Sequence, residues 1–84
     1  MTQRIIILYG KLAEVLGDLV LVSGGELREP VQDVRARAAQ LDGRLAVLLG
    51  DGRVRACVAD TIAPDGTMVA PGQAVEFMPV VSGG

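Results

Sequence analysis

The sequence predicts an α+β roll, in which one main helix and a few short helical turns cover a four- to five-stranded mixed sheet. Two strongly apolar strand-like runs lie at opposite ends of the 84-residue chain, around Arg4–Tyr9 and Val75–Pro79. A single clear helical pattern lies between them, opening at Pro30. The remaining segments are short and divided by Gly-, Pro- and Asp-containing turns, which leaves no room for a second layer of long helices.

"RIIILY" (Arg4 to Tyr9) is a β-branched run too short for a surface helix, and it reads as a central strand covered at least partly on both faces. In "GKLAEVLG", Leu12, Val15 and Leu16 fall at helical spacing and Gly17 stops the turn. "LVLVS" (Leu19 to Ser23) is a second strand, closed by Gly24-Gly25.

Pro30 suits a first helical position, and Val31, Val34, Ala38, Leu41 and Leu45 form the expected buried stripe. Arg35, Arg37 and Gln40 lie off that stripe and are expected in solvent. Asp42-Gly43 interrupts the helix, and "RLAVLL" adds a further turn or two.

Asp51-Gly52 turns the chain into "RVRACVA", where Val54, Ala56 and Val58 alternate with Arg53, Arg55 and Cys57, a strand with one wet face. "PDGT" and "APGQ" bracket a short Met68-Val69 strand. In the last strand Val75 and Phe77 share one face, and Glu76 and Met78 the other. Pro79, lacking an N–H, is expected to end the ladder.

The order strand, strand, helix, strand, short strand, strand matches the β-grasp arrangement of ubiquitin. The first and last strands are then adjacent and parallel at the sheet centre. Residues 1–79 are expected to form that domain, and residues 80–84 a flexible Gly-Gly tail.

Composition narrows the chemistry. There is no histidine, so the usual general base near neutral pH and the commonest metal ligand are missing. Cys57 is the only cysteine, which leaves no intrachain disulfide and no cysteine metal cluster. No metal or cofactor is expected on the chain. Cys57 itself reads as a structural residue, Arg53 and Arg55 as a solvated strand face, and Lys11 as a surface side chain. The net charge of -2 comes from residues spread along the chain without a basic stripe, so nucleic acid is not an expected partner. No apolar run approaches the roughly 18 residues of a membrane span, and the expected setting is soluble and cytoplasmic.

The end, "PVVSGG", contains two glycines, the residues with most backbone freedom to lose. Alone it reads as a frayed terminus. Together with "ILYGKLAEVLG", "DGRVRACVADTI" and "APGQAVEFMPVVSGG", it resembles the MoaD/ThiS group of ubiquitin-like sulfur carriers. The closest resemblance is to the small, sulfur-carrying subunit of molybdopterin synthase. Val75-x-Phe77-x-Pro79 followed by Gly83-Gly84 is the most specific block, and the extra "RLAVLL" piece favours the molybdopterin branch. Departures from that pattern are Val80 for a second proline, Ala59 for an Asn, and Glu29-Pro30 for a Ser/Thr helix cap.

The resemblance implies chemistry on the Gly84 carboxylate. An activating enzyme of the ubiquitin E1 type adenylates it with ATP, a persulfide-bearing protein supplies sulfur, and the resulting thiocarboxylate serves the pterin precursor of the molybdenum cofactor. The chain is then no enzyme by itself, because the large subunit of molybdopterin synthase supplies the catalytic residues. Val81, Ser82 and Gly83 would enter the partner's active site, while Phe77, Met78, Pro79 and Val80 would dock outside it. Phe77 is equally readable as core, and Tyr9 carries the same ambiguity. Other acceptors (thiazole, tRNA, a cysteine precursor), conjugation to target lysines as a ubiquitin-like modifier, and a β-grasp interaction module with an incidental Gly-Gly end are the alternatives.

Overall fold

A computed structural model of the chain describes residues 2–80. The elements in order are β1 (Gln3–Leu8), a 3-10 turn (Gly10–Leu12), α1 (Ala13–Leu16), β2 (Leu19–Ser23), β3 (Glu29–Pro30) and α2 (Val31–Ala39). They are followed by α3 (Gly43–Leu49), β4 (Val54–Val58), β5 (Thr61–Ile62), β6 (Met68–Val69) and β7 (Val75–Pro79). The main sheet has the order β2-β1-β7-β4-β5, and β3 and β6 form a separate two-stranded ribbon.

The two end strands meet at the sheet centre as expected: β1 runs parallel to β7, with Ile6 opposite Val75 and Leu8 opposite Phe77. Every other pairing in the sheet is antiparallel. This is the β-grasp order. The inward residues Ile6, Leu8, Val22, Ala56, Val58, Val75 and Phe77 form one cluster with Val31, Val34 and Ala38 of α2 and Leu45 and Leu49 of α3. Small and branched aliphatics fill the space, so a single phenylalanine suffices as the large core side chain.

Several expectations are corrected. β1 is fully covered on one face and only thinly on the other: Arg4, Ile6 and Leu8 point inward, whereas on the outer face Ile7 is half-buried and Ile5 exposed. The fifth strand of the sheet is Thr61–Ile62, because Ala59 and Asp60 both take left-handed conformations (φ 51° and 63°) and return the chain as a two-residue hairpin. Met68–Val69 pairs instead with Glu29–Pro30.

The helical stripe stops at Ala38. Leu41 is 43% exposed, and Asp42 caps a separate helix by accepting from the N–H groups of Arg44 (2.7 Å) and Leu45 (3.3 Å). Pro30 sits before α2 in an extended conformation rather than within it. No side chain caps α2; its Val31 and Gln32 N–H groups donate to the carbonyls of Thr67 and Asp65 in the β5–β6 connection.

Arg35 and Arg37 are not solvated as expected. Arg35 donates to the Leu49 carbonyl at 2.9 Å and to Asp65 Oδ1 at 3.1 Å, and its guanidinium lies 5.2 Å from the centre of the Phe77 ring. It thereby holds the C-terminal end of α3 against the core. Arg37 belongs to a buried charge cluster. Arg4, 1% exposed, donates from Nε to Glu29 at 3.1 Å, and Arg37 donates to the other oxygen of the same carboxylate at 2.6 Å. The remaining nitrogens of Arg4 reach the carbonyls of Gly24, Leu27, Ala70 and Gln73. One buried cation thus ties β1 to the β2–β3 and β6–β7 loops and, through Glu29, to β3.

Candidate functional site

The place where the chain leaves the sheet is built from β7, β4 and the turn after β1. Pro79 lies opposite Val54, and the Val80 N–H donates to the Arg53 carbonyl at 2.7 Å. The ladder therefore runs one residue past Pro79 instead of ending there, since the missing proline donor is not needed on that side. Beside it, Gly10 takes a left-handed conformation (φ 57°), and a Cβ there would sit 3.1 Å from Pro79 Cγ. Glycine at position 10 makes room for the proline at the exit.

A cleft of about 580 Å³ opens at this point, lined by Lys11, Leu48, Asp51, Arg53, Pro79 and Val80 among others. Its charges are arranged by the β4 turn. Arg53 bonds Asp51 through its side chain (3.0 and 3.2 Å) and its backbone N–H (2.9 Å), and these bonds hold the Asp51 carboxyl down at about 2. Asp51 thus stays ionised across the physiological range, with Lys11 nearby adding to the effect. The exit is a mixed-charge rim around an apolar floor.

Of the expected docking residues, Phe77 is corrected to core: it is 0% exposed, enclosed by the helices and beneath the Arg35 guanidinium. Its inward position follows from the strand alternation that also buries Val75. Met78 and Pro79 are partly exposed and Val80 is exposed, so these three reach the surface beside the exit. Val81, Ser82, Gly83 and Gly84 lie outside the described residues.

Sequence reasoning missed the extent of the apolar surface. On the outer face of the main sheet Ile5, Tyr9, Leu19 (55% exposed), Leu21 (45%) and Ile62 (63%) are all open, with Ile7 and Met78 half-buried between them. Ile5 lies opposite Leu21 and Ile7 opposite Leu19, so the apolar side chains are adjacent. Glu76 and Arg55 supply charge to the same face, and the Tyr9 hydroxyl lies 3.5 Å from Glu76 Oε1. Partial desolvation, then the Glu76 charge, raise the Tyr9 pKa above the usual phenol value, so the ring stays neutral. The signal was present: "RIIILY" is apolar at every position from 5 to 8, but only one helical layer exists to cover it.

Cys57 is buried and makes no disulfide. Among the described residues, no group of three or more His, Cys, Asp or Glu side chains is placed to hold a metal ion. No helix among the described residues is long and apolar enough to cross a membrane.

No curated protein matches the chain. The fold matches the crystal structure of SAMP1 from Haloferax volcanii, with a TM-score of 0.79 over 99% of this chain and 100% of that one, at 23% identity. At that identity the likeness establishes the ubiquitin-like β-grasp fold. The sequence matches the ThiS family over residues 6–84, from the middle of β1 through the Gly-Gly pair, and the chain belongs to that family of ubiquitin-like sulfur carriers.

Proposed function

We propose that this chain carries sulfur as a thiocarboxylate on Gly84 and delivers it to the pterin precursor of the molybdenum cofactor, as the small subunit of molybdopterin synthase. The observation that carries the sulfur-carrier part of the reading is the ThiS family match over residues 6–84, a span that includes Val75-x-Phe77-x-Pro79 and Gly83-Gly84. Within the family, α3 (Gly43–Leu49) supports the molybdopterin branch, because it turns the "RLAVLL" insertion into a full helix.

The chemistry proceeds on the C-terminal carboxylate. A Gly84 carboxylate oxygen attacks the α-phosphorus of ATP in an E1-type enzyme, and pyrophosphate leaves. The terminal sulfur of a protein persulfide attacks the acyl-adenylate carbonyl, and AMP leaves. A thiol then opens the acyl disulfide, releasing the thiocarboxylate and a new disulfide. The thiocarboxylate sulfur is anionic and soft, and so is a good nucleophile. The carrier's own contribution is delivery: a domain that docks and a glycine end without a Cβ that fits a narrow channel.

The hydrogen bond at Val80 sets the reach. Four residues lie beyond it, spanning at most roughly 13–14 Å when extended, which is shorter than the expected five-residue tail starting at Val80 would allow. A partner must therefore seat closely on the exit. Met78, Pro79 and Val80, the outer sheet face and the cleft between Lys11 and Arg53 form the surface it would meet, with Phe77 supporting that surface from below. Val81, Ser82 and Gly83 would thread the channel.

Reconstitution tests the acceptor. Thiocarboxylated carrier mixed with a molybdopterin synthase large subunit and the pterin precursor should yield molybdopterin with consumption of the thiocarboxylate. Sulfur passing instead only to a thiazole or tRNA acceptor, or covalent adducts forming on target lysines, would move the chain to another branch of the family.

A further inference from the structure

We infer that the free edge of β2 is a self-pairing surface, through which two copies of this chain join their sheets across a two-fold axis. β2 lies at the end of the order β2-β1-β7-β4-β5, and among the described residues nothing pairs with its outer side. Edge strands are ordinarily blunted by charge, proline or a bulge. This one reads LVLVS, with none of these.

The register fixes which groups are free. The Leu8 N–H donates to the Asp18 carbonyl at 2.9 Å, and Leu8 faces Asp18 in the register that pairs Ile7 with Leu19. Antiparallel ladders alternate, so Val20 and Val22 also bond to β1, whereas Leu19, Leu21 and Ser23 turn their N–H and C=O groups to the open edge. Those three residues are also exposed.

The edge is complementary to itself. With Leu21 on the two-fold axis, Leu21 faces Leu21 of the second copy and Leu19 faces its Ser23, so every outward donor meets an outward acceptor. Asp18, just before the strand, falls opposite Gly24, and no like charges are opposed. The exposed Leu19 and Leu21 side chains of both copies then form one apolar row, continuous with Ile5 and Ile7. A contact built on one short strand pair is small, which places it among transient interfaces, visible at high protein concentration. The inference rests on the strand geometry and is independent of the carrier reading.

Sedimentation of the full chain from micromolar to millimolar concentration, with amide hydrogen exchange over the same range, tests it. Expected is a monomer–dimer equilibrium in which the amides of Leu19, Leu21 and Ser23 slow with concentration while those of Val20 and Val22 do not change. Leu21→Lys and Leu21→Glu, at an exposed position that leaves the core intact, should each be monomeric, and an equimolar mixture should dimerise again. A chain that stays monomeric throughout, a dimer untouched by both variants, or one that mixing does not restore would overturn the inference.

Discussion

Replacing Glu29 by Gln should destabilise the domain far more than the loss of any surface ion pair. The carboxylate lies between two guanidinium groups, with side-chain exposures of 6% for Glu29 and 0% for Arg4. Arg37, at 25%, can turn to solvent when its partner is neutralised, but Arg4 cannot. The variant leaves a buried cation facing only neutral carbonyls, a situation that costs about 3–5 kcal/mol. A chain of 84 residues has a total stability of about 4–13 kcal/mol. With m near 1–1.5 kcal/mol/M, the urea midpoint should fall by roughly 2–5 M, or the variant should be unfolded at the outset.

Asp65→Asn is the control. Its pair with Arg35 joins side chains 58% and 20% exposed, and its loss should cost about 0–1 kcal/mol. Acid provides a second reading. The Arg37 hydrogen bonds, with help from Arg4, hold the Glu29 carboxyl below the ordinary carboxylate range against the opposing effect of burial. Its contribution is therefore complete above the unfolded value of about 4.3 and lost as pH falls through the lower folded value. Stability of Glu29→Gln should accordingly vary less with pH on the acid side. Equal losses from Glu29→Gln and Asp65→Asn would refute the reasoning. Replacing both Arg4 and Glu29 by apolar residues should not restore stability, because the carbonyls of Leu27, Ala70 and Gln73 would lose their donor.

Three further outcomes are expected. Phe77→Ala should cost about 3–5 kcal/mol in urea unfolding as a core deletion, whereas Met78→Asp and Val80→Asp should leave the urea midpoint nearly unchanged and weaken binding to the E1-type enzyme. Ala59→Gly should stabilise the domain by about 0.5–1 kcal/mol with an unchanged m, since it relieves a left-handed alanine in the β4–β5 hairpin. The Asp51 carboxyl should titrate near 2 by NMR, and return toward the ordinary aspartate value in Arg53→Ala, because Arg53 supplies the largest lowering effects.

Much of the fold was legible because periodicity and turn chemistry agree along this chain. The apolar end strands are the central parallel pair, and the alternation in "VEFMP" places Val75 and Phe77 inside. What was missed required tertiary information. Arg4 is in phase with Ile6 and Leu8, so the period of two does point it inward, but only the folded loops show carbonyls and Glu29 waiting there. The stripe through Leu41 failed because Asp42 starts a new helix axis, which presents Leu45 to the core from another direction. The strand at Thr61–Ile62 depends on two left-handed residues, Ala59 and Asp60, neither a glycine and neither a usual hairpin signal at the first position. At the candidate site, Met78, Pro79 and Val80 were readable as surface, while the breadth of the outer apolar face was not, since strand spacing does not say which sheet face lacks a covering layer.

The most direct test is the intact mass of the chain after incubation with a cognate E1-type enzyme, ATP and a persulfide donor. The expected result is a product heavier by the replacement of one oxygen with sulfur, located by fragmentation to Gly84 and absent when ATP is omitted. A Gly84 carboxylate that remains unmodified, with no ATP-dependent adenylate formed, would contradict the carrier function.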